Sequence, residues 1–229
     1  MPSLPSLCAV CHAWPAQRVC DGCVSRFAMP RPRCATCALA VPEGVAQCGA
    51  CLREPLGLDG CLAAVDYGYP WAGLLSEFKF QGDPGWAGTL ARLLRAAPGV
   101  DEALAAADSV LPIPLAPGRL AERGFNQSLL LARALAPRKA APRWLLRLRD
   151  TAAQSGLPRA ARLRNLRAAF AVEPRAIPRL QGRSVLLVDD VMTTGATLQA
   201  AAAVLRQAGA ARVQAVVVAR TPAGHNDAQ

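Results

Sequence analysis

The sequence predicts an α/β fold, a parallel sheet flanked by helices, preceded by a small cysteine-rich module. Three observations carry this. The apolar runs in "RSVLLVDDV" and "RVQAVVVAR" lack the polar alternation of a strand with one wet face, so they fit strands covered on both sides. From Cys61 onward such runs alternate with amphipathic helical segments, the order that winds a parallel sheet. Before about residue 54 hydrophobic periodicity is almost absent, prolines and glycines are frequent, and cysteines recur in pairs. A chain of 229 residues has room for one sizeable domain and one small one, divided here as residues 1–54 and 55–229.

The first module cannot bury a core of its own, so metal is the expected source of its stability. Eight of the nine cysteines form four pairs of one spacing: Cys8 and Cys11, Cys20 and Cys23, Cys34 and Cys37, Cys48 and Cys51. Two residues between thiolates let both sulfurs of a knuckle reach one tetrahedral ion, and two knuckles complete a four-thiolate site. Two structural zinc ions are therefore predicted in a double zinc ribbon, in preference to disulfides or a redox motif. The expected pairing is sequential, first knuckle with second and third with fourth. His12 follows a knuckle cysteine and is expected at the surface, because the four pairs are complete without it. Cys61 lies outside the spacing, in "CLAAVDYGY", and is expected to be a buried core thiol. With metal stabilising one part and an apolar core the other, Cys8→Ser is expected to unfold the module and leave residues beyond about 60 folded.

The remaining elements follow in order. "CLAAVDYGY" reads as a strand or hairpin arm, and "WAGLLSEFKFQ" and "WAGTLARLLRAA" as helices. "DSVLPIPL" reads as a strand running into a proline-rich loop, "GFNQSLLLARALA" as a helix and "WLLRLR" as a short strand. The strand in "RSVLLVDDV" precedes an alanine-rich helix closed by Gly209, and "RVQAVVVAR" is the last buried strand.

Composition narrows the partners. The formal charge of +10 is carried almost wholly by arginine, because the only lysines are Lys79 and Lys139. Lys79 then has two readings, a place where an ammonium is needed or a chance survivor on a solvated helix face. Nine basic residues and one acid, Asp150, fall between Arg138 and Arg167. That segment is either a solvated face or a clamp for polyphosphate or a nucleic-acid backbone. "QSGLPRAAR" within it reads as a closing loop of the kind that seals a site over pyrophosphate. No leader pattern and no uncharged run of about 20 residues is present, so no membrane insertion is expected and a soluble cytoplasmic protein is.

The chemistry concentrates in "VLLVDDVMTTGATL", Val185 to Leu198. The apolar strand delivers Asp189 and Asp190 to its carboxyl end, where open α/β sheets bind ligands. The hydroxyl- and glycine-containing turn after them opens a helix, whose unpaired N–H groups and dipole suit a phosphate. A Walker A loop or a dinucleotide fingerprint would need glycines and lysine in other places.

This stretch resembles the phosphoribosyl pyrophosphate (PRPP) motif of type I phosphoribosyltransferases. With the four knuckles, "FKFQGD", "LPIPLAPGRLAERGFNQS", "RLRDTAAQSGLPRAARLRNLRAAF" and the final "VAR", the resemblance extends over nearly the whole chain to the ComF family. That family joins a zinc module to such a transferase domain and is linked to DNA uptake in natural transformation or to carbon utilisation. The resemblance implies that Asp189 and Asp190 accept hydrogen bonds from the ribose hydroxyls and form the catalytic pair. It implies that Thr193, Thr194, Gly195, Ala196 and Thr197 hold the 5′-phosphate. Pro112, Ile113, Pro114 and Leu115 fall where the pyrophosphate loop is expected, the alternative being a strand-ending turn that touches nothing. Lys79 and Arg123, and after them Arg119, are the cations expected to meet the pyrophosphate, with magnesium bound alongside PRPP. Two readings follow: a magnesium-dependent transferase acting on an unidentified nitrogen acceptor, or a non-catalytic PRPP-sensing or single-stranded-DNA-binding protein that works with competence proteins.

Overall fold

The computed structural model describes residues 5–80, 82–148 and 169–223. Its centre is a four-stranded parallel sheet in the order β1-β6-β5-β2, built from β1 (Gly60–Asp66), β2 (Ser109–Pro112), β5 (Ser184–Met192) and β6 (Arg212–Arg220). β5 and β6 are the inner strands, nine residues each, and their near-continuous branched apolar side chains are covered on both faces. An antiparallel pair, β3 (Leu145–Arg147) and β4 (Phe170–Val172), stands apart from it.

One face of the sheet carries α3 (Trp71–Phe80), α4 (Trp86–Arg95), α5 (Val100–Ala106) and α7 (Gln127–Leu135). Their inward residues recur at helical spacing: Trp71, Leu74, Leu75 and Phe78 on α3, and Trp86, Leu90 and Leu94 on α4. The other face carries α8 (Ile177–Leu180), α9 (Ala196–Gln207) and the β3–β4 pair. The amino-terminal module contributes two short helices, α1 (Asp21–Phe27) and α2 (Gly49–Arg53), each beginning directly after a knuckle cysteine.

The module shares both core layers with the sheet. Cys8, Val19 and Cys23 pack in the layer of Trp71, Phe78 and Trp86. Cys34, Cys37, Cys48 and Cys51 pack in the opposite layer with Leu56, Cys61 and Met192. The Cys61 amide donates to the Ala35 carbonyl at 2.9 Å, so the module also caps part of the free edge of β1. The separate stability behind the expected outcome of Cys8→Ser therefore has no structural counterpart, because Cys8 lies in the layer that α3 and α4 need.

Two further differences have plain causes. Helix α6 (Pro117–Arg123) buries no residue, so it leaves no apolar period to read, and α5 is only seven residues long. Strand β5 does not stop at the acids but runs through Met192, because β6 is equally long and the ladder continues to the Met192 and Arg220 pair. Residues 149–168, which hold most of the basic segment including Arg159, Arg162 and Asp150, lie outside the described residues.

Candidate functional site

Strand β5 places two successive carboxylates where helices α3 and α7 approach the sheet. Asp190 is 7% exposed and pairs with Lys79 of α3, Nζ to Oδ1 at 3.1 Å. Asp189 Oδ1 accepts from the Ser128 hydroxyl of α7 at 2.9 Å and from the Asp190 amide at 2.9 Å. Burial, reinforced by the Asp190 charge next door, pushes the Asp189 carboxyl up to about 7, while Ser128, the Asp190 amide and Lys79 act the other way. Two carboxylates with one ammonium between helix and strand leave net acceptor capacity, which suits a ligand rich in hydroxyl donors.

The turn after β5 opens a helix at a glycine. Gly195 has φ of +82° and caps α9, a twelve-residue helix. A Cβ there would lie 2.4 Å from the Met192 methyl and 3.2 Å from Leu56 Cδ1, so a side chain would displace the first and crowd the second. Thr193 and Thr194 are exposed, and the Thr194 hydroxyl accepts from the Ala196 amide at 3.3 Å. Ala196 and Thr197 form the first turn of α9.

The proline-containing turn lies beside the acids. Pro112 pairs with Val188 across β2 and β5, and the Ile113 amide donates to the Val188 carbonyl at 2.9 Å. Pro114 and Leu115 are half-buried at the turn that follows. Arg123 stacks over Phe80, 4.9 Å from the ring centre, one residue from Lys79. Arg119 is exposed on α6 and has no ion pair among the described residues. Lysine is used where an ammonium is wanted in both cases: Lys139 Nζ donates to the carbonyls of Leu104, Ala105 and Ala107 at the end of α5, at 2.8, 2.9 and 2.8 Å.

Four residues stand in the stretches that carry the family resemblance but were assigned no role from the sequence. Asn126 caps α7 by accepting from the Leu129 amide and donates to the Ile113 carbonyl at 3.0 Å. Gln127, almost fully buried, donates to the Lys79 carbonyl and accepts from Arg123, both at 3.4 Å. Ser128 holds Asp189, so three consecutive residues fasten the Ile113 turn, the end of α3 and the acidic pair. The signal was a run of polar residues opening an apolar helix, legible only as a cap. The fourth is Arg220, at the end of β6, which is 8% exposed and meets four backbone carbonyls.

The eight paired cysteines form two clusters, Cys8, Cys11, Cys20 and Cys23, and Cys34, Cys37, Cys48 and Cys51. Pairing is therefore sequential, as the knuckle order implied. Within each cluster the four sulfurs lie within 4.8 Å of one another, and none is in a disulfide. Cys8 to Cys23 is 3.8 Å, Cys11 to Cys20 is 3.6 Å and Cys37 to Cys48 is 3.7 Å. Sulfur atoms about 2.3 Å from a tetrahedral zinc lie about 3.8 Å apart, so both donor sets fit a structural zinc ion. His12 is exposed and belongs to neither cluster. Cys61 is buried, and burial pushes its thiol up to about 12.

Residues 130–228 match the family model of the phosphoribosyl transferase domain. Fold and match together define the class: a phosphoribosyltransferase-type domain joined to two four-cysteine clusters. The DNA utilization protein YhgH of Escherichia coli (strain K12) is 33% identical over 240 residues, which span 96% of this chain and 100% of that protein. Competence protein F of Haemophilus influenzae is 34% identical over 218 residues, 88% of this chain and 90% of that one. The chain belongs to the ComF family, as these similarities along nearly its whole length establish. Among solved structures, the allosteric regulatory enzyme of purine biosynthesis aligns with a TM-score of 0.41 at 20% identity, over 62% of this chain and 29% of that one. No helix among the described residues is long and apolar enough to cross a membrane.

Proposed function

We propose that the protein binds PRPP with magnesium and transfers its phosphoribosyl group to a nitrogen acceptor, in support of DNA uptake or use. The observation that carries this reading is the buried acidic pair beside a positive-φ glycine turn that opens α9, with Lys79 ion-paired to Asp190. Asp189 and Asp190 take the ribose hydroxyl protons as hydrogen bonds and stabilise the cationic ring electrostatically. The turn from Thr193 to Thr197 takes the 5′-phosphate through its amides and hydroxyls. Lys79 and Arg123, with the Pro112–Leu115 turn, meet the pyrophosphate. Magnesium, when bound with PRPP, neutralises the leaving pyrophosphate. In the step itself the nitrogen lone pair forms a bond to C1 of the ribose. The electrons of the broken C1–O bond leave with pyrophosphate, and the nitrogen releases its proton to water.

Asp189→Asn with Asp190→Asn tests the reading. Calorimetry with PRPP and magnesium is expected to give binding in the wild type and none in the double variant, which keeps its fold. Equal affinities would remove the ribose assignment. A second reading, a PRPP-dependent binding protein for single-stranded DNA without turnover, is favoured by the names of the relatives, which concern DNA utilization and competence. Pyrophosphate release from PRPP in the presence of nucleobases separates the two, and its absence across the nucleobases leaves the binding protein. Single-stranded DNA binding would then weaken with salt at a log–log slope of about 0.7 per phosphate contacted.

A further inference from the structure

Arg220 sits at the meeting point of three parts of the chain. Its Nε donates to the Cys37 carbonyl at 2.8 Å. Its Nη1 donates to the carbonyls of Met192 at 3.1 Å, of Thr221 at 2.7 Å, and of Thr193. Cys37 belongs to the second cysteine cluster, Met192 ends β5, and Thr193 begins the turn that opens α9. The planar guanidinium is the one side chain that can hold several carbonyls in a fixed fork, and it keeps its charge when buried. Among the described residues no carboxylate pairs with it. Four thiolates around a divalent ion carry a net charge of about −2, so the loaded cluster supplies the missing counter-charge through the adjacent Cys37 peptide. Apolar contact follows the same route, since Leu56 and Met192 pack with the second cluster and also lie under Gly195.

We propose that the second cysteine cluster is part of the ligand site, with Arg220 as the positioning residue that fastens the Thr193–Thr197 turn to the Cys37 knuckle, so that metal occupancy there sets the shape of the phosphate cradle. Among the described residues, the first cluster has no such link. It packs on α3 and α4, and its knuckles reach the rest of the chain through Arg18 and Asp83 and through the Trp71 indole, which donates to the Phe27 carbonyl at 2.8 Å. Neither contact touches the turn after β5. The inference rests on the PRPP reading for its ligand and on geometry alone for the coupling.

The full-length protein carrying Arg220→Gln tests both parts. Zinc content is expected to stay at the wild-type level, and amide exchange in β5 upstream of the acids to stay slow. Exchange at residues 193–197 is expected to speed up, and affinity for PRPP with magnesium to fall, each by about tenfold, the scale of an ordinary coupling between sites. Arg220→Lys, which keeps the charge but reaches fewer carbonyls, should lie between. Cys48→Ser in the second cluster should reproduce both effects, whereas Cys11→Ser, at the exposed cysteine of the first, should lower the temperature of global unfolding and, measured well below it, change each by no more than about twofold. The proposal is overturned if Arg220→Gln keeps wild-type exchange at 193–197, or if Cys11→Ser loosens that turn as much as Cys48→Ser does. Should Arg220→Gln not fold, Arg220→Lys and the two cysteine variants decide by the same measurements. A wild-type protein that binds no PRPP removes the proposed function and leaves the coupling to stand or fall by the exchange data.

Discussion

The two cysteine clusters use four ligands each, with two residues inside every pair, yet they meet opposite faces of the sheet. All four sulfurs of the second cluster are buried, whereas Cys11 of the first is exposed and Cys20 half-buried. The first cluster completes the helical layer of α3 and α4. The second completes the layer beneath the turn that follows β5, and a buried arginine ties it there. Two donor sets of identical spacing therefore have different surroundings: one packs in the core layer of α3 and α4 and the other beneath a candidate site. The difference lies in the neighbours, because a four-thiolate centre is a rigid corner and its effect depends on what is packed against it.

The largest expected effect breaks the view of the first cluster as a separate module. Cys8 is fully buried beside the α3 and α4 core, so Cys8→Ser should cost the whole chain about 5 kcal/mol or more, part of the ~10–16 kcal/mol that a structural zinc site contributes. Thermal unfolding should then be a single transition at lower temperature. Two separated transitions, with β5 and β6 melting as in the wild type, would restore the independent module.

Asp189 sharpens the contrast on the ligand side, where stability is given up for a site. Its carboxyl titrates at about 7 when folded and near 3.8 otherwise, so the folded state holds the proton more tightly. The unfolded chain then binds fewer protons between those values, and this group's contribution to stability falls as pH rises from about 4 to 7. Asp189→Asn keeps an acceptor for Ser128 without the charge. It should be more stable than the wild type at pH 8, by the order of 2 kcal/mol, and indistinguishable from it below about pH 4. A wild-type melting temperature at pH 8 in this variant would count against the site being strained by its own charges.

Gly195→Ala tests the contact between the second layer and the turn. Positive φ alone costs about 1 kcal/mol, and crowding against Leu56 brings the total to about 2 kcal/mol, since the Met192 methyl can swing aside. Denaturant midpoints should shift accordingly while zinc content holds, and PRPP affinity should fall. Unchanged affinity would separate the turn from the ligand.

The smallest effect belongs to the first cluster's polar link. Arg18 pairs with Asp83 at 2.5 Å and lies over Trp86, but both charged groups are about 40% exposed. Arg18→Ala should cost only about 0.5 kcal/mol in chemical denaturation, and less at high salt. PRPP affinity should not change, and a loss there would join the first cluster to the site after all.

Much of the site was legible because its parts are contiguous. Asp189, Asp190 and the Thr193–Thr197 turn occupy one stretch, and the charge, hydroxyls and glycine mark a candidate site at a strand end. Lys79 stood out only because arginine fills nearly every other cationic position. Ser128, Gln127 and Arg220 were not legible as site residues. Ser128 and Gln127 stand at a helix start and Arg220 at a strand end, and no local pattern tells which distant groups such residues meet. α6 hid for a related reason, having no buried face to leave a period.

What the sequence by itself determined is whatever depends on near neighbours. It set the four cysteine pairs, the buried strands, and the acidic pair before a glycine turn, because spacing and periodicity along the chain decide those, while the grouping of the pairs into clusters was settled by the fold. Only the tertiary structure decided which cluster meets which face of the sheet. It alone brought Lys79 to Asp190, Ser128 to Asp189 across 61 positions, and Arg220 to the Cys37 carbonyl across 183. The physical reason is that a hydrogen bond between distant residues is fixed by how layers pack, and packing writes no pattern into the residues on either side of the donor.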